Sequence, residues 1–354
     1  MGRATSVDGT DEREVREHPG GDPTRPVTIA FIAESAGVSV PTVSKVVNGR
    51  SGVSAETRAR VEELINRYGY QKPATTTRSN IMELVFRELE SMWAVEIIRG
   101  VEGVARRHRI GVLISQFGLH DSSGTTTWDD TVARRPHCVL SVAQLSAAER
   151  DELRAKGIPF VVFDPTIELP DDVPFVGATN WSGGRVATRH LIELGHQRIA
   201  MISAPEHILC CRARQDGYRA ALAAAGLPVD PGLIVHAALT REHGYAAAVE
   251  LLARTDRPTA IFAANDLQAL GVYQAAREAR LTIPDDLSVV GFDDLPVVAW
   301  VDPPLTTIHQ PLTQMAVAAT EMALALGRGE TAPQVGIEIA TTLTVRSSTA
   351  PPKN

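Results

Sequence analysis

The chain has 354 residues, 44% of them hydrophobic, and a formal net charge of −7. That length allows two or three domains with a real core; no run approaches eighteen apolar residues, and the first 26 residues hold no apolar stretch of the secretory kind, so neither a membrane span nor an export signal is expected. Three cysteines, Cys138 and the adjacent Cys210 and Cys211, fit a reducing cytoplasm, and His207 beside that pair lacks the second ligand pair that zinc would need, so no metal and no cofactor is expected.

Residues 1–25 are polar, acidic and punctuated by Gly and Pro, and read as a disordered tail that cannot bury enough apolar surface to offset its ordering. From 26 to 73 the pattern turns periodic. Thr28 is placed to cap a first helix with Ile29, Ile32, Ala33 and Ala36 inward and Gly37 at its end. Ser39 caps a second, with Val43, Val46 and Val47 inward and Gly49 as its stop. Ser54 caps a third, with Val61, Leu64 and Ile65 inward before Gly69. Three short helices, the first two joined by a tight Gly turn, describe an all-α helix-turn-helix unit. Between residues 25 and 72 seven basic residues face four acidic ones, a local +3 on a chain that totals −7. Such a module has the charge to meet phosphate, and its second helix offers Ser39, Thr42, Ser44, Lys45 and Asn48, donors suited to phosphates and base edges.

The stretch AGVSVPTVSKVVNGRSGVS resembles the N-terminal DNA-binding signature of the lactose-repressor/galactose-repressor (LacI/GalR) family of bacterial transcription regulators. The resemblance implies that Val40, Pro41 and Lys45 face base edges in the major groove and that Thr28, Ser39, Thr42, Ser44 and Asn48 hold the DNA backbone. Val40 offers apolar contact only and Pro41 no donor, which leaves Lys45 as the one long polar reader, matched to guanine O6 and N7. Phe31 stands where the family usually shows an acidic residue that would complete a capping box. An aromatic there is expected to pack on the large domain or on the tail.

Residues 74–80 form a short linker. In the family this connector is usually longer and holds a leucine that wedges into the minor groove at the operator centre. Here Pro73 is followed by seven residues before Ile81, with three consecutive threonines and no leucine. Seven extended residues span roughly 23 Å, enough to connect but hardly enough to build a hinge helix. No leucine wedge is expected; Arg78 at most touches the central minor groove, and control would rest on the spacing of two helix-turn-helix units.

From 81 to 354 short apolar runs alternate with helical stretches. The runs include 81–86, 110–115, 138–142, 159–163, 198–203, 259–264 and 287–292; the helices include 94–108, 182–194, 213–225, 243–254 and 266–279. This is the pattern of doubly wound parallel sheets, whose ligands bind outside the carboxyl ends of the strands. Trp93, Asp164, Asn265 and Asp293 follow such runs, with Arg212 and Arg214 near the start of a helix after another. An aromatic ring with planar donors and acceptors suits a polyhydroxylated small molecule. Asp266 and Asp294 read as helix caps or turns, and the Asp pairs at 129–130, 171–172 and 285–286 as turns.

The resemblance continues through stretches such as DGYRAALAAAGLPVD, PTAIFAANDLQALGVYQAAREA and DPPLTTIHQP. It implies a periplasmic-binding-protein-like domain of two lobes joined by three crossovers, with a small effector between them. It implies effector contact by Arg214, Asn265 and Asp293, with Asp164 and Trp93 beside them. Leu239 falls where several members place an aromatic lid, and Cys210 is one turn from Arg214. The family implies a homodimer on a near-palindromic double-stranded operator. Residues 94–108, with Val95, Ile98, Val101 and Val104, would supply either a dimer face or packing on the lobe's own sheet. No C-terminal leucine heptad points to a tetramer. An exported solute-binding protein would have a signal and no DNA module. An enzyme would show a phosphate loop, a GxSxG elbow or a dinucleotide fingerprint, none of which is present. The expectation is a cytoplasmic, ligand-responsive repressor, not an enzyme.

Overall fold

A computed structural model describes residues 27–47, 50–68, 70, 79–87, 89, 92–117, 127–332 and 334–353. The chain divides into two compact units, Met1–Thr77 and Arg78–Asn354.

In the first unit α1 is Ile29–Ala36, α2 Val40–Val47 and α3 Ala55–Tyr68. Each start has the cap its sequence prescribes. The Thr28 hydroxyl accepts from Phe31 N at 3.3 Å, the Ser39 hydroxyl from Thr42 N at 3.4 Å and the Ser54 hydroxyl from Thr57 N at 3.2 Å. Gly37 ends α1 in the left-handed conformation, φ 64°, which a side chain would strain. Ile32, Ala33, Ala36, Val43, Val46, Val61 and Tyr70 close a small core. Phe31 corrects its expected placement. It packs edge-on against Tyr68 of α3, centroids 5.1 Å apart and planes at 83°, so it serves the module's own core. The N-terminal tail, Asn48, Gly49, Gly69 and residues 74–78 of the linker, with Arg78 and the missing wedge, lie outside the described residues.

In the second unit β1 is Ile81–Phe86, α4 Met92–Arg107, β2 Gly111–Gln116, α5 Thr127–Arg134, β3 Cys138–Ser141, α6 Ala147–Ala155, β4 Phe160–Phe163 and β5 Phe175–Ala178. The chain continues through α7 Asn180–Glu193, β6 Ile199–Ser203, α8 Leu209–Ala224, β7 Ile234–His236, α9 Arg241–Leu252, β8 Ala260–Ala263, α10 Asp266–Glu278 and β9 Ser288–Asp293. It ends with β10 Thr306–His309, α11 Leu312–Gly327, β11 Gly336–Ile339 and β12 Thr342–Thr344. Asp129 and Asp130 lie in the first turn of α5 and not in a turn as the sequence suggested, acids where the helix dipole favours them.

Two six-stranded sheets result, in the orders β11-β5-β4-β3-β1-β2 and β12-β10-β9-β8-β6-β7. The first is parallel throughout; the second is parallel except for β12, which runs antiparallel to β10. Both faces are covered, as parallel sheets require. In β1, Met82, Leu84 and Phe86 pack on α4 and α11, while Val85 faces Trp128 of α5 and Leu153 of α6. Within α4, Val101 and Val104 are fully buried in their own lobe, whereas Val95 is 51% exposed.

The chain passes between the lobes at three places: from β5 to α7 through Thr179, from β10 to α11 through Gln310 and Pro311, and from β11 to β12 through Ala340 and Thr341. Two of these crossovers are tied together. Thr341 N donates to the Thr179 hydroxyl at 2.9 Å, and the Thr341 hydroxyl to the Thr179 carbonyl at 3.2 Å.

Candidate functional site

On α2 the residues not used by the core form one outward surface. Ser39, Val40, Pro41 and Lys45 are exposed, Val40 to 41%, and Thr42 and Ser44 are half-buried beside them. An exposed valine costs solvation, and here it stands beside an exposed proline and a lysine on a helix of the DNA-docking motif. The Ser39 and Thr42 hydroxyls lie 2.9 Å apart and fix the helix start, which sets where Lys45 points, one turn on.

The second site is centred on Arg214, on α8 and 3% exposed. Its Nε donates to Asn180 Oδ1 at 2.8 Å, and its two terminal nitrogens donate to the Ala264 carbonyl at 2.6 Å and Gln310 Oε1 at 3.4 Å. Asp293 Oδ1 lies 3.9 Å away, and the guanidinium stacks 3.5 Å from the centroid of Phe292. The Gln310 amide donates its other end to Asp164 Oδ2 at 3.1 Å, so one crossover side chain links the end of β4 in one lobe to α8 in the other. Asp164 (φ 46°) and Asp293 (φ 115°) end their strands in the left-handed region that favours glycine, a strain that collects at binding sites. Burial pushes both carboxyls up, against the pull of Arg214.

The structure therefore joins three of the five residues expected of the effector site and adds two that sequence reasoning missed, Asn180 and Gln310. Asn265 and Trp93 are not among the groups that touch Arg214. Asn265 caps α10, accepting from Gln268 N at 2.9 Å and donating to the Leu239 carbonyl at 3.1 Å. Trp93 lies in the first turn of α4 and packs edge-on on Phe163 at 5.9 Å, against the core of its lobe. Asp266 and Asp294 are not caps. Asp266 is fully buried, accepting from the Thr307 hydroxyl at 2.6 Å and Leu295 N at 2.8 Å. Asp294 pairs with Arg346 at 2.6 Å and His309 at 3.1 Å.

A two-lobed sensor fold with a polar cluster at its crossovers, on the same chain as a helix-turn-helix module, defines the class of ligand-sensing transcription factors. Residues 28–72 match the bacterial regulatory proteins of the lacI family, and residues 188–349 match the periplasmic binding protein-like domain. The chain is 33% identical over 339 residues to the HTH-type transcriptional regulator MalR of Streptomyces coelicolor, covering 91% of this chain and 96% of that one. It is 33% identical over 337 residues to the HTH-type transcriptional regulator CelR of Thermobifida fusca, covering 91% and 98%. Among solved structures it resembles a transcriptional regulator CelR–cellobiose complex, with a TM-score of 0.69, 31% identity, and 92% and 100% of the two chains covered. It also resembles the lac repressor dimer bound to operator and the anti-inducer ONPF, with a TM-score of 0.67, 27% identity, and 92% and 100% covered. The chain belongs to the LacI family of bacterial regulatory proteins: it is a helix-turn-helix transcriptional regulator and not an enzyme. Among the described residues no helix is long and apolar enough to cross a membrane.

Proposed function

We propose that this chain is a cytoplasmic repressor of carbohydrate-utilisation genes that binds a near-palindromic operator as a homodimer and responds to a small sugar-like effector. The observation that carries the reading is Gln310, which holds Asp164 of one lobe and Arg214 of the other at once. A ligand that competes for either partner disturbs both lobes. In the DNA module Val40, Pro41 and Lys45 read base edges, while Thr28, Ser39, Thr42, Ser44 and Asn48 meet phosphates. In the sensor Arg214, Asp293, Asp164, Asn265 and Trp93, with Asn180 and Gln310, surround the effector. Effector and operator affinities are then coupled by the same factor in both directions. A relative bearing the name ribose operon repressor and the solved CelR–cellobiose complex support carbohydrate as the effector class.

A thermal-shift screen of the purified protein against a sugar library tests this, since a ligand that binds only the folded state raises its melting point. The expected result is a saturable shift with one or a few saccharides that also changes operator affinity. A screen in which nucleosides or amino acids shift the melting point and no saccharide does would overturn the carbohydrate reading.

A further inference from the structure

Cys210 and Cys211 are the second and third residues of α8, and both are free thiols. Successive side chains on a helix diverge by about 100°, yet these two sulfurs lie 4.0 Å apart, close enough for one thiol to donate to the other. Cys211 is fully buried in the core that holds Tyr218 and Phe262. Cys210 is half-buried and stands in the wall of a cavity of about 820 Å³ that also takes in Asp164, Thr179, Asn180 and Trp181. One sulfur is therefore reachable from the cavity, and the other is in contact with it. The start of α8 favours their ionised form. Ile208, at its N-cap, supplies no side-chain cap, so the positive end of the helix is left to the two sulfurs. The contact with Cys210 holds the Cys211 thiol below the ordinary cysteine value, and the charge of Arg214, one turn on, pulls the same way against burial. The thiolate is the form that attacks.

We infer that Cys210 and Cys211 form a two-sulfur site for a trivalent arsenical, an arsenic atom that carries one aryl, alkyl or hydroxyl group of its own. Three partners compete for such a pair, and geometry separates them. A direct disulfide would join Cα atoms about 3.8 Å apart, short of the roughly 4.4–6.8 Å that unstrained disulfides span. A metal ion such as zinc asks for three or four protein ligands, and among the described residues no group of three or more His, Cys, Asp and Glu could hold one. Trivalent arsenic needs two sulfurs and brings its third substituent, and as a bridging atom it enlarges the ring that a direct disulfide would close too tightly. Each sulfur displaces one hydroxyl from the hydrated arsenical. Two S–H and two As–O bonds break, two As–S and two O–H bonds form, two waters leave, and the arsenic stays trivalent. The bridge stands in the wall that Asp164 and Asn180 share with the Arg214 cluster, so the sensor carries a second, chemically distinct receptor beside the first. The inference is independent of the carbohydrate reading: a chain that binds the arsenical and no saccharide would lose that reading and keep this one.

Phenylarsine oxide titrated into the reduced full chain, followed by intact-mass spectrometry, tests it. One phenylarsenic group per chain is expected, retained in excess glutathione and released by 2,3-dimercaptopropanol, which offers a competing pair of sulfurs. Cys210→Ser changes a half-buried side chain by one atom. It should weaken the adduct about 100-fold, the gain that a second bond within one chain supplies, so that glutathione strips it. Cys211→Ala should do the same, with the melting curve of each variant reporting that the fold is kept. Cys138→Ser removes the remaining thiol, buried in β3 of the other lobe, and should leave the adduct unchanged. No adduct on the wild type, an adduct that glutathione removes, or a glutathione-resistant adduct that survives Cys210→Ser overturns the inference.

Discussion

Arg214 keeps a full charge with 3% of its surface exposed, and it does so because its donors are taken up by Asn180, Ala264 and Gln310 and its charge by Asp293. Arg214→Ala should abolish the effector response while operator affinity, measured by fluorescence anisotropy, stays that of the wild type. Stripping the cation from buried acids should also lower the unfolding free energy by about 3 kcal/mol. A retained response at ordinary ligand concentration would remove Arg214 from the site. Lys45 is the exposed long polar side chain on α2, and Lys45→Ala should relax preference at one base pair in each half-site, by about 1–3 kcal/mol against the wrong base. An equal loss on every operator sequence would make it a phosphate contact instead. Asp164, Arg214 and Asp293 were legible in the sequence because each follows an apolar run or precedes a Gly-Tyr pair in a recognisable motif. Asn180 and Gln310 were not. Each stands at a crossover, and its partner is 34 or 96 residues away, so only the passage of the chain between lobes gives it meaning.

At the scale of elements, the helix carrying Arg214 is fixed by how closely it approaches α7. A Cβ on Gly184 would run into the Arg214 carbonyl, and one on Gly217 into the Trp181 carbonyl, so the two helices touch backbone to backbone. Gly244 and Gly271 do the same for α9 and α10. Gly217→Ala should force α8 outward and cost about 1–3 kcal/mol, read as a lower urea midpoint, with weakened effector binding because Arg214 moves with its helix. An unchanged midpoint would mean that the helices part without penalty. The β-α alternation was readable because most strands are short apolar runs between amphipathic helices. The three-residue strands β7 and β12 are too short to show a period. Helix α11 is buried on several sides, through Leu312, Met315, Ala319, Met322 and Leu324, and so lacks the single apolar stripe that marks a surface helix. Phe31 was misplaced for a related reason: an unpaired aromatic in the sequence says that it packs, and the identity of its partner depends on where α3 lies.

For the whole molecule, buried acids set how stability varies with pH. Burial pushes the Asp266 carboxyl from 3.8 up to about 7. A folded-state value above the unfolded one means the folded chain holds the proton more tightly. The contribution is complete below about pH 4 and is lost as pH rises through about 7. Asp164 and Asp293 are pushed the same way by burial. His196, pushed down by burial, acts oppositely, withdrawing stability as pH falls below the ordinary histidine range. Asp266→Asn isolates one group: the urea midpoint of the wild type minus that of the variant should fall between pH 5 and pH 8. A difference independent of pH would show that Asp266 does not titrate there. The three crossovers have a mechanical consequence of their own. Joints of one or two residues at Thr179, Gln310–Pro311 and Ala340–Thr341 forbid the lobes from sliding apart and leave them a swing about the line of those joints, like a door on three pins. Gln310 is part of one of those pins. A bolt so near the axis has a short lever arm: it registers the angle of the door and exerts little torque on it. The force that holds the door shut has to come from whatever spans the opening at its far edge.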